Sequence, residues 1–330
     1  MSSTSSSTPT PPTTDQFDKT PPPSSFYILT QQSTTAITSA LAQSHTLLEV
    51  EFPPLPSSVL EMDDVSAYDV SRANIKLASE TATELIKMHG FSNIAIMVPD
   101  EAELDIARES TLTSLFKGVT INALRNNNNN NNNDAKPANE FMKLFAGAFG
   151  AKGDVTGVPG ADMYVVVTAS AQELPDVETL HLLDPKIPII FFNMKLDTLR
   201  GDLGIPAFPG KDLHDRFLSR VKPAYYLRTR QYSRTTTTPP FVVNYQGCLF
   251  RVFPGKYQCL LDVGDGNFRR VQNLERRPGL GEFKGLLNDE LVAKGVVQDE
   301  GSVFNFLRTG YKTRTWWEED REEANEGWRY

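Results

Sequence analysis

Short apolar runs that alternate with helical segments are the feature that most restricts the fold of this chain. Each run has six or seven residues. Strands that alternate with helices are typical of a mostly parallel sheet with helices on both faces, a Rossmann-like three-layer α/β fold. The predicted strands are LLEVEF (47–52), NIAIMV (93–98), GVTINAL (118–124), MYVVVTA (163–169), PIIFFN (188–193) and AYYLRTR (224–230).

The segments between these strands carry the spacing and the terminal residues of helices. Ile37 and Leu41 are four residues apart, which places them on one helix face. Gly90 is a helix stop, and Ser170 with Glu173 fits a capping box. We therefore predict helices at Gln31–Gln43, Ser66–His89, Ala102–Arg108, Glu140–Phe149 and Lys211–Arg220, and one more directly after Ser170.

After Pro240 the pattern changes to four strand-like segments in close succession. FVVNY, CLFRVF, YQCLLDV and FRRVQNL are separated by short turns such as Gly264-Asp265-Gly266. Such a series predicts an antiparallel β-meander, which either extends the main sheet or forms a small subdomain. Helices at Glu282–Lys294 and Val303–Arg308 follow it.

Four parts are predicted along the chain. A Ser/Thr/Pro-rich tail at 1–24 is too polar to order itself, and an α/β domain follows at 25–235. Within that domain, eight asparagines at 126–133 are a solvated loop insertion. The meander with its helices occupies 236–315, and an acidic tail occupies 316–330.

Composition excludes several classes of protein. The net charge is −8 and the pI about 5.2, which argues against a nucleic-acid partner. No apolar run approaches the ~18 residues of a membrane span. The N-terminus has no hydrophobic core of a secretory signal. It is rich in Ser and Thr like a plastid transit peptide but has no arginine, so a targeting segment is not evident.

The two cysteines, Cys248 and Cys259, lie in strand-like sequence on either side of a turn. Two cysteines cannot make a disulfide framework. They are interpreted as reduced, buried residues. The alternative is a redox pair, if the hairpin register places both on one face.

One candidate site is a polar crevice beyond the carboxyl ends of the strands, where open α/β sheets bind ligands. Its residues are Asp100, Glu103, Thr168, Ser170 and Asn193. The carboxylates can act as acid and base or hold a cation, and the set can bind a phosphorylated metabolite or nucleotide. The alternative is structural, because Asp100 and Ser170 are also suitable helix caps.

A second candidate site is a basic row in the last predicted strand of the α/β domain. Side chains at alternate positions share one face of a strand, and here they are Tyr226, Arg228, Arg230, Tyr232 and Arg234. Arginine with tyrosine suits an anionic headgroup, a phosphate or an acidic partner segment. The alternative is a charged strand edge that blocks unwanted pairing.

Trp316 and Trp317 precede a run of acidic residues. Paired tryptophans can form a hot spot for a partner. They can equally clamp the C-terminus onto the core.

Motifs of nucleotide, metal and hydrolase chemistry are missing from the sequence. Neither GxGxxG after a strand nor GxxxxGK[ST] occurs, and no GxSxG nucleophile elbow is present. The four histidines are far apart and lack metal-ligand spacing. We therefore predict no cofactor and no metal, and no catalytic residues are assigned.

Long strings of the sequence resemble one family. They are LEVEFPPLPS (48–57), RANIKLA with Asn74, the Pro99-Asp100 turn, FFNMKLDTLRGDLG (191–204) and TRTWWEE (313–319). The chain is similar in these strings to the plastid domain-of-unknown-function family of photosystem II assembly factors.

The resemblance implies a stromal chloroplast protein that works at the thylakoid surface. It implies help in assembling a chlorophyll-binding inner-antenna subunit of photosystem II, with a membrane insertase nearby. It supplies no catalytic residues. The expected function is a non-catalytic assembly factor, and the alternative is an enzyme or sensor that uses the crevice.

Overall fold

The computed structural model describes residues 14–60, 62–110, 115–126, 153–199, 210–236, 239, 241–264, 266–295 and 326–330. In this part of the chain a nine-stranded sheet has the order β11-β10-β9-β8-β1-β7-β6-β2-β3. Its strands are β1 (Leu47–Glu51), β2 (Ile94–Val98), β3 (Val119–Ala123), β6 (Met163–Val167), β7 (Ile189–Phe192), β8 (Lys222–Thr235), β9 (Val242–Val252), β10 (Tyr257–Asp262) and β11 (Phe268–Leu274). A separate two-stranded ribbon pairs β4 (Arg125–Asn126) with β5 (Asp154–Val155).

Helices connect the strands, and the longest described helix ends where the sequence predicts. Gly90 ends the longest helix in a left-handed conformation with φ of 79°, which glycine adopts without a steric penalty. The α-helices are α1 (Thr14–Phe17), α2 (Phe26–Ala42), α3 (Ser57–Leu60), α4 (Ala67–His89), α5 (Glu101–Ser110), α6 (Leu174–Leu183), α7 (Leu196–Leu199), α8 (Lys211–Arg216) and α9 (Leu280–Ala293). Short 3-10 helices lie at Ala171–Glu173, Leu218–Arg220 and Gly327–Arg329.

The predicted α/β class is confirmed by the pairing of the strands. All pairs from β3 through β2, β6, β7 and β1 to β8 are parallel. The strands β1, β2, β6 and β7 are buried at every position. Continuous burial is typical of a parallel sheet covered on both faces.

The meander extends the main sheet. β9 pairs antiparallel with β8 over eleven positions, and β10 and β11 add to it in turn. On its other side, β8 pairs with β1 only from Lys222 to Tyr226. Among the described strands, none pairs with that side of β8 beyond Tyr226, so a charged strand edge remains an alternative for the basic row.

Three apolar clusters fill the layers. One joins α2, α4 and α5 to one face of the sheet and includes Ile37, Leu85 and Leu104. On the other face, a second cluster packs α6 against the parallel strands, and a third packs α9 against β8, β9 and β10. At Gly247 in β9 a side chain would collide with Leu287 of α9, so glycine permits this close helix contact.

Residues 14–24 are ordered, contrary to the predicted tail at 1–24. Phe17 is buried against the core, and the backbone N–H of Lys256 donates to the Asp18 carboxylate at 2.7 Å. The Gln258 and Asn273 side chains donate to the carbonyl oxygens of Thr20 and Asp18. One aromatic side chain and these hydrogen bonds dock a segment whose composition is otherwise that of a disordered tail.

The register of the meander separates the two cysteines. Cys248 lies opposite Leu260 and Cys259 lies opposite Leu249, so their side chains point to opposite faces of the sheet. Both are free and buried, and burial raises the pKa of each thiol to about 12. The alternative of a redox pair on one face is wrong, and the two residues are small parts of separate apolar clusters.

Several predictions lie outside the described residues. They are the asparagine run beyond Asn126, the helices at Glu140–Phe149 and Val303–Arg308, and the tryptophans Trp316 and Trp317. Among the helices that the structure describes, each is too short or too polar to cross a bilayer.

Candidate functional site

The predicted crevice residues follow three neighbouring strands at one edge of the sheet. Asp100 and Glu103 follow β2, Thr168 and Ser170 follow β6, and Asn193 follows β7. The carboxylate of Asp100 accepts a hydrogen bond at 3.0 Å from the backbone N–H of Glu103, as an N-cap of α5 does. The Ser71 hydroxyl donates to Glu103 at 3.3 Å.

Ser170 forms the predicted capping box. Its backbone N–H donates to the Glu173 carboxylate at 2.7 Å, and its hydroxyl oxygen accepts from the Gln172 N–H at 3.2 Å. The Thr168 hydroxyl donates to the Val167 carbonyl at 2.7 Å. Both side chains are thus used to shape the turn between β6 and α6.

Asn193 links three elements below the surface. Its amide N–H donates to the Asn74 side chain of α4 at 2.9 Å, and its amide oxygen accepts from the Phe52 N–H at 2.9 Å. Asn193 is buried, with 8 % of its surface exposed. These bonds tie the end of β7 to the end of β1, so Asn193 is first of all a structural bridge.

The backbone is strained at this edge. Thr168, Asn193 and Lys195 have φ values of 60°, 51° and 52°. Positive φ is uncommon for residues other than glycine and is an outlier for a β-branched residue such as Thr168. Strain of this kind gathers at functional sites, where the surrounding structure holds it in place.

The basic row shares one face of β8, as its alternation predicts. Tyr226 is fully buried, and Arg228 and Arg230 are half-buried, with 25 % and 23 % of their side chains exposed. All three contact Asp197 of the one-turn helix α7. The Tyr226 hydroxyl donates to Asp197 Oδ2 at 2.6 Å, and the Arg228 and Arg230 guanidinium groups lie 3.1 and 3.4 Å from it.

The outer part of the row is covered by α9. The Tyr232 ring lies 5.5 Å from the Tyr245 ring and 6.4 Å from the Phe283 ring. Arg234 donates to the Asn288 side chain of α9. The row therefore offers solvent a narrower positive surface than its sequence indicates, centred on Arg228 and Arg230.

Arg277, in the turn between β11 and α9, completes a buried network of charges. Its guanidinium lies 2.8 Å from Asp197 Oδ1 and 3.2 Å from Glu49 Oε2 of β1, and 4.0 Å above the Tyr226 ring. Burial alone would lower the pKa of Arg277, and the negative charges of Asp197 and Glu49 hold it well above its usual value. Arg277 thus remains a cation inside the protein.

Glu51, two residues along the same strand, accepts a hydrogen bond at 2.9 Å from the Lys195 backbone N–H. Burial, together with the nearby charge of Glu49, raises the pKa of Glu51 to about 7. Its ionisation therefore changes near neutral pH. We refer to Glu49, Glu51, Asp197, Arg228, Arg230, Arg277 and Tyr226 as the junction network, since it lies where the parallel strands meet the meander.

The C-terminal residues cover this network. Trp328 is buried beside His214, with 6.3 Å between the ring centres. The backbone N–H of Arg277 donates to the carbonyl oxygen of Arg329 at 2.7 Å. Trp328 therefore packs residues 326–330 on the core, and the clamp predicted for Trp316 and Trp317 lies outside the described residues.

The sequence motifs do not identify four residues of this site, which are Glu49, Glu51, Asp197 and Arg277. Two glutamates inside the apolar run LLEVEF were the available signal, because buried acidic residues are rare unless paired. No group of three His, Cys, Asp or Glu side chains suited to a metal ion is found in the part of the chain that the structure describes. The network instead pairs Glu49 and Asp197 with arginines.

Burial of such a network of charges is unfavourable in free energy. Desolvation of each ion costs several kcal/mol, and the mutual attraction offsets this only when the geometry is good. Replacement by apolar residues would often be neutral, so a buried ionic cluster indicates a role in specificity or binding at least as much as in stability. Positive groups that converge on one carboxylate are suited to bind anions.

The sequence model of one family, described as Domain of unknown function (DUF1995), matches residues 23–285. This span covers most of the chain and includes every strand of the nine-stranded sheet. The searches of curated proteins and of solved structures found no match.

Proposed function

The chain belongs to the DUF1995 family. From the resemblance of its sequence to photosystem II assembly factors of plastids, we propose that it is a non-catalytic assembly factor for photosystem II. Within the family we propose a relationship to low photosystem II accumulation protein three of chloroplasts, which the strings LEVEFPPLPS and FFNMKLDTLRGDLG resemble. The protein would act in the stroma, peripherally at the thylakoid. Its partners would be an inner-antenna subunit and the membrane insertase that delivers it.

The observation that supports this proposal best is the partly exposed positive face formed by Arg228 and Arg230. About a quarter of each side chain reaches solvent, next to the buried carboxylate of Asp197. The whole chain has a net charge of −8, and here Asp197 pairs with the two guanidinium groups from the buried side while their exposed parts present cationic donors to solvent. Charged contacts of this kind favour fast encounter and release, as a transient assembly factor requires.

The crevice residues support a structural role at the carboxyl edge. Asp100 and Ser170 serve as helix caps, and both polar ends of the Asn193 side chain are bonded within the protein. Groups already engaged in such bonds need rearrangement before they can act on a substrate. The proposal therefore assigns partner binding to the arginine face.

A membrane flotation assay tests the proposal. Charge reversal at Arg228 and Arg230 should abolish association with thylakoid membranes. Both arginines are paired with Asp197, and Arg230 has the longer contact, 3.4 Å against 3.1 Å. The milder variant Arg230→Gln with Arg234→Gln is therefore measured in parallel, with circular dichroism as the folding check.

Arg269→Gln is the matched control, because Arg269 is an exposed arginine on the edge strand β11, 3.9 Å from Glu290. Loss of flotation in the Arg230/Arg234 variant but not in the control supports the proposal. Equal flotation of all folded variants would remove the arginine face from it.

A second candidate function is an enzyme or sensor that binds a phosphorylated metabolite or nucleotide in the crevice. The positive φ values at Thr168, Asn193 and Lys195 favour it, since strained backbone of this kind is common at ligand sites. A thermal-shift screen of nucleotides and phosphosugars separates the two functions. A specific ligand raises the melting temperature through mass action, and an absence of any shift would favour the assembly factor.

A further inference from the structure

Asp197 is surrounded by a donor set that proteins use to bind oxyanions. Three guanidinium groups and one phenol hydroxyl converge on its carboxylate, from Arg228, Arg230, Arg277 and Tyr226. The separations range from 2.6 Å for Tyr226 to 3.4 Å for Arg230. Charge-assisted hydrogen bonds from arginine to a carboxylate are among the strongest polar contacts in proteins.

The donors and the acceptor are held by elements of different kinds. Arg228 and Arg230 lie within the fourteen-residue strand β8, where both positions are paired with β9. Arg277 is fixed by Glu49 of β1. Asp197, in contrast, comes from the four-residue helix α7, so a local rearrangement of one turn can withdraw it while the donors stay in place.

The donor set is open to solvent on one side. The side chains of Arg228 and Arg230 are 25 % and 23 % exposed, whereas Asp197 is 9 % exposed. A ligand from solvent would therefore meet the two arginines before it reaches the position of the Asp197 carboxylate.

We propose that Arg228, Arg230 and Arg277 form a carboxylate-binding site that Asp197 occupies in the free protein. An acidic side chain of a partner protein replaces Asp197 when the complex forms. This inference rests on the proposed function, because it gives the chemical class of partner for the same arginine face. In the free protein, Asp197 competes with the partner's carboxylate for the three arginines.

The charges of the site favour a carboxylate over a phosphate dianion. With Asp197 withdrawn, three guanidinium groups face Glu49 and Glu51. One net positive charge then remains above about pH 7, where Glu51 is ionised. A single carboxylate neutralises that charge. A phosphate would bring about two negative charges and leave an excess.

The test compares the binding of a fluorescein-labelled hexaglutamate peptide to the wild type and to Asp197→Asn at low salt. Asparagine keeps the shape of the side chain and an acceptor for Tyr226 but removes the competing charge. We expect binding at least about tenfold tighter in Asp197→Asn, since a site that is mostly occupied internally shows an affinity reduced by its free fraction. Equal affinity in the two proteins would overturn the inference.

The matched control is Asp176→Asn. Asp176 is also buried and is held by Arg125 at 2.6 and 2.7 Å. Its substitution by Asn therefore frees only one guanidinium group. No gain in peptide affinity is expected there. A gain equal to that of Asp197→Asn would show a general response to lost negative charge and would overturn the site.

Arg230→Gln gives a second arm that does not require Asp197→Asn to fold. Arg230 has the longest of the three ion pairs with Asp197, so its loss should perturb the fold least. We expect weak peptide binding by the wild type and at least a fivefold loss, on the order of 1 kcal/mol, in Arg230→Gln. Unchanged binding in Arg230→Gln would overturn the inference.

The flotation assay separates the two proposals. Tighter peptide binding by Asp197→Asn, with thylakoid association unaffected by Arg230→Gln combined with Arg234→Gln, supports the site and removes the arginine face from the proposed function. Lost thylakoid association with equal peptide affinity of wild type and Asp197→Asn does the reverse.

Discussion

The parallel strands and the junction with the meander solve the problem of burial in different ways. In the parallel part, β2, β6 and β7 carry only apolar residues at buried positions, and the polar residues follow at the strand ends. At the junction, β1 buries Glu49 and Glu51 and pairs them with groups from elsewhere. The first region is a scaffold explained by hydrophobic burial alone, and the second carries charges that stability alone does not require.

The largest expected loss of stability follows from a substitution in the junction network. Arg277→Met leaves Glu49 and Asp197 without their buried cation, and removal of one partner of such a pair costs about 3–5 kcal/mol. Urea denaturation measures the change in the free energy of unfolding.

Arg216→Met is the control, because Arg216 forms an exposed network with Glu178 and Asp212. Its expected cost is about 0–1 kcal/mol. Equal losses for the two variants would contradict the distinction between the junction and the rest of the protein.

The next largest effect is the pH dependence of stability that Glu51 gives to the junction network. The pKa of Glu51 is raised from 4.5 to about 7 in the folded protein. A carboxyl group with a raised pKa supplies its stability in full below about pH 4.5 and loses it as pH rises towards 7 and above. The wild type should therefore lose roughly 3 kcal/mol of its free energy of unfolding between these pH values. Glu51→Gln should not show this loss.

Denaturation curves for wild type and Glu51→Gln across this pH range measure the effect. Ile96→Val in β2 serves as the reference, with a cost of about 0.5–1.5 kcal/mol that does not change with pH because no titratable group is altered. Parallel pH profiles for wild type and Glu51→Gln would contradict the assignment.

A smaller loss is expected at the carboxyl edge. Asn193→Ala removes two hydrogen bonds and leaves the buried Phe52 N–H without its acceptor, at a cost of about 1–3 kcal/mol. Asn122→Ala, which removes a hydrogen bond to Thr120 at an exposed position, should change stability by less than about 0.5 kcal/mol. Thermal unfolding of the two variants compares them, and similar melting temperatures would argue against the structural bridge.

The smallest expected effect concerns the helix cap. Ser170→Ala should cost about 1 kcal/mol, within the range of ~0.5–2 kcal/mol for a lost N-cap. Ser66→Ala removes the equivalent capping box at the start of α4 and should cost about as much. A far larger loss at Ser170 would indicate a role of that residue beyond the cap.

The sequence predicts the scaffold well because each strand is specified locally. The run NIAIMV is apolar after Asn93 and ends before Pro99, and β2 occupies Ile94–Val98. Ser170 and Glu173 likewise form their capping box within four residues. Such short-range signals do not depend on the rest of the fold.

The junction depends on contacts that are distant in sequence. Arg277 and Glu49 are separated by 228 residues, and no periodicity indicates that they meet. The opposite faces of Cys248 and Cys259 depend on the register between β9 and β10, which a slip of one residue would reverse. The position of residues 14–24 depends on the burial of Phe17 and on hydrogen bonds from Lys256, Gln258 and Asn273, which are all more than 230 residues away in the sequence.

Site-specific photo-crosslinking tests the central claim most directly. A photoreactive residue replaces the exposed Thr198, next to Asp197, and in a control protein the exposed Gln272 on the edge strand β11. We predict that, with thylakoid membranes, position 198 crosslinks to an inner-antenna subunit of photosystem II and position 272 does not. No crosslink from position 198, or equal crosslinks from both positions, would contradict it.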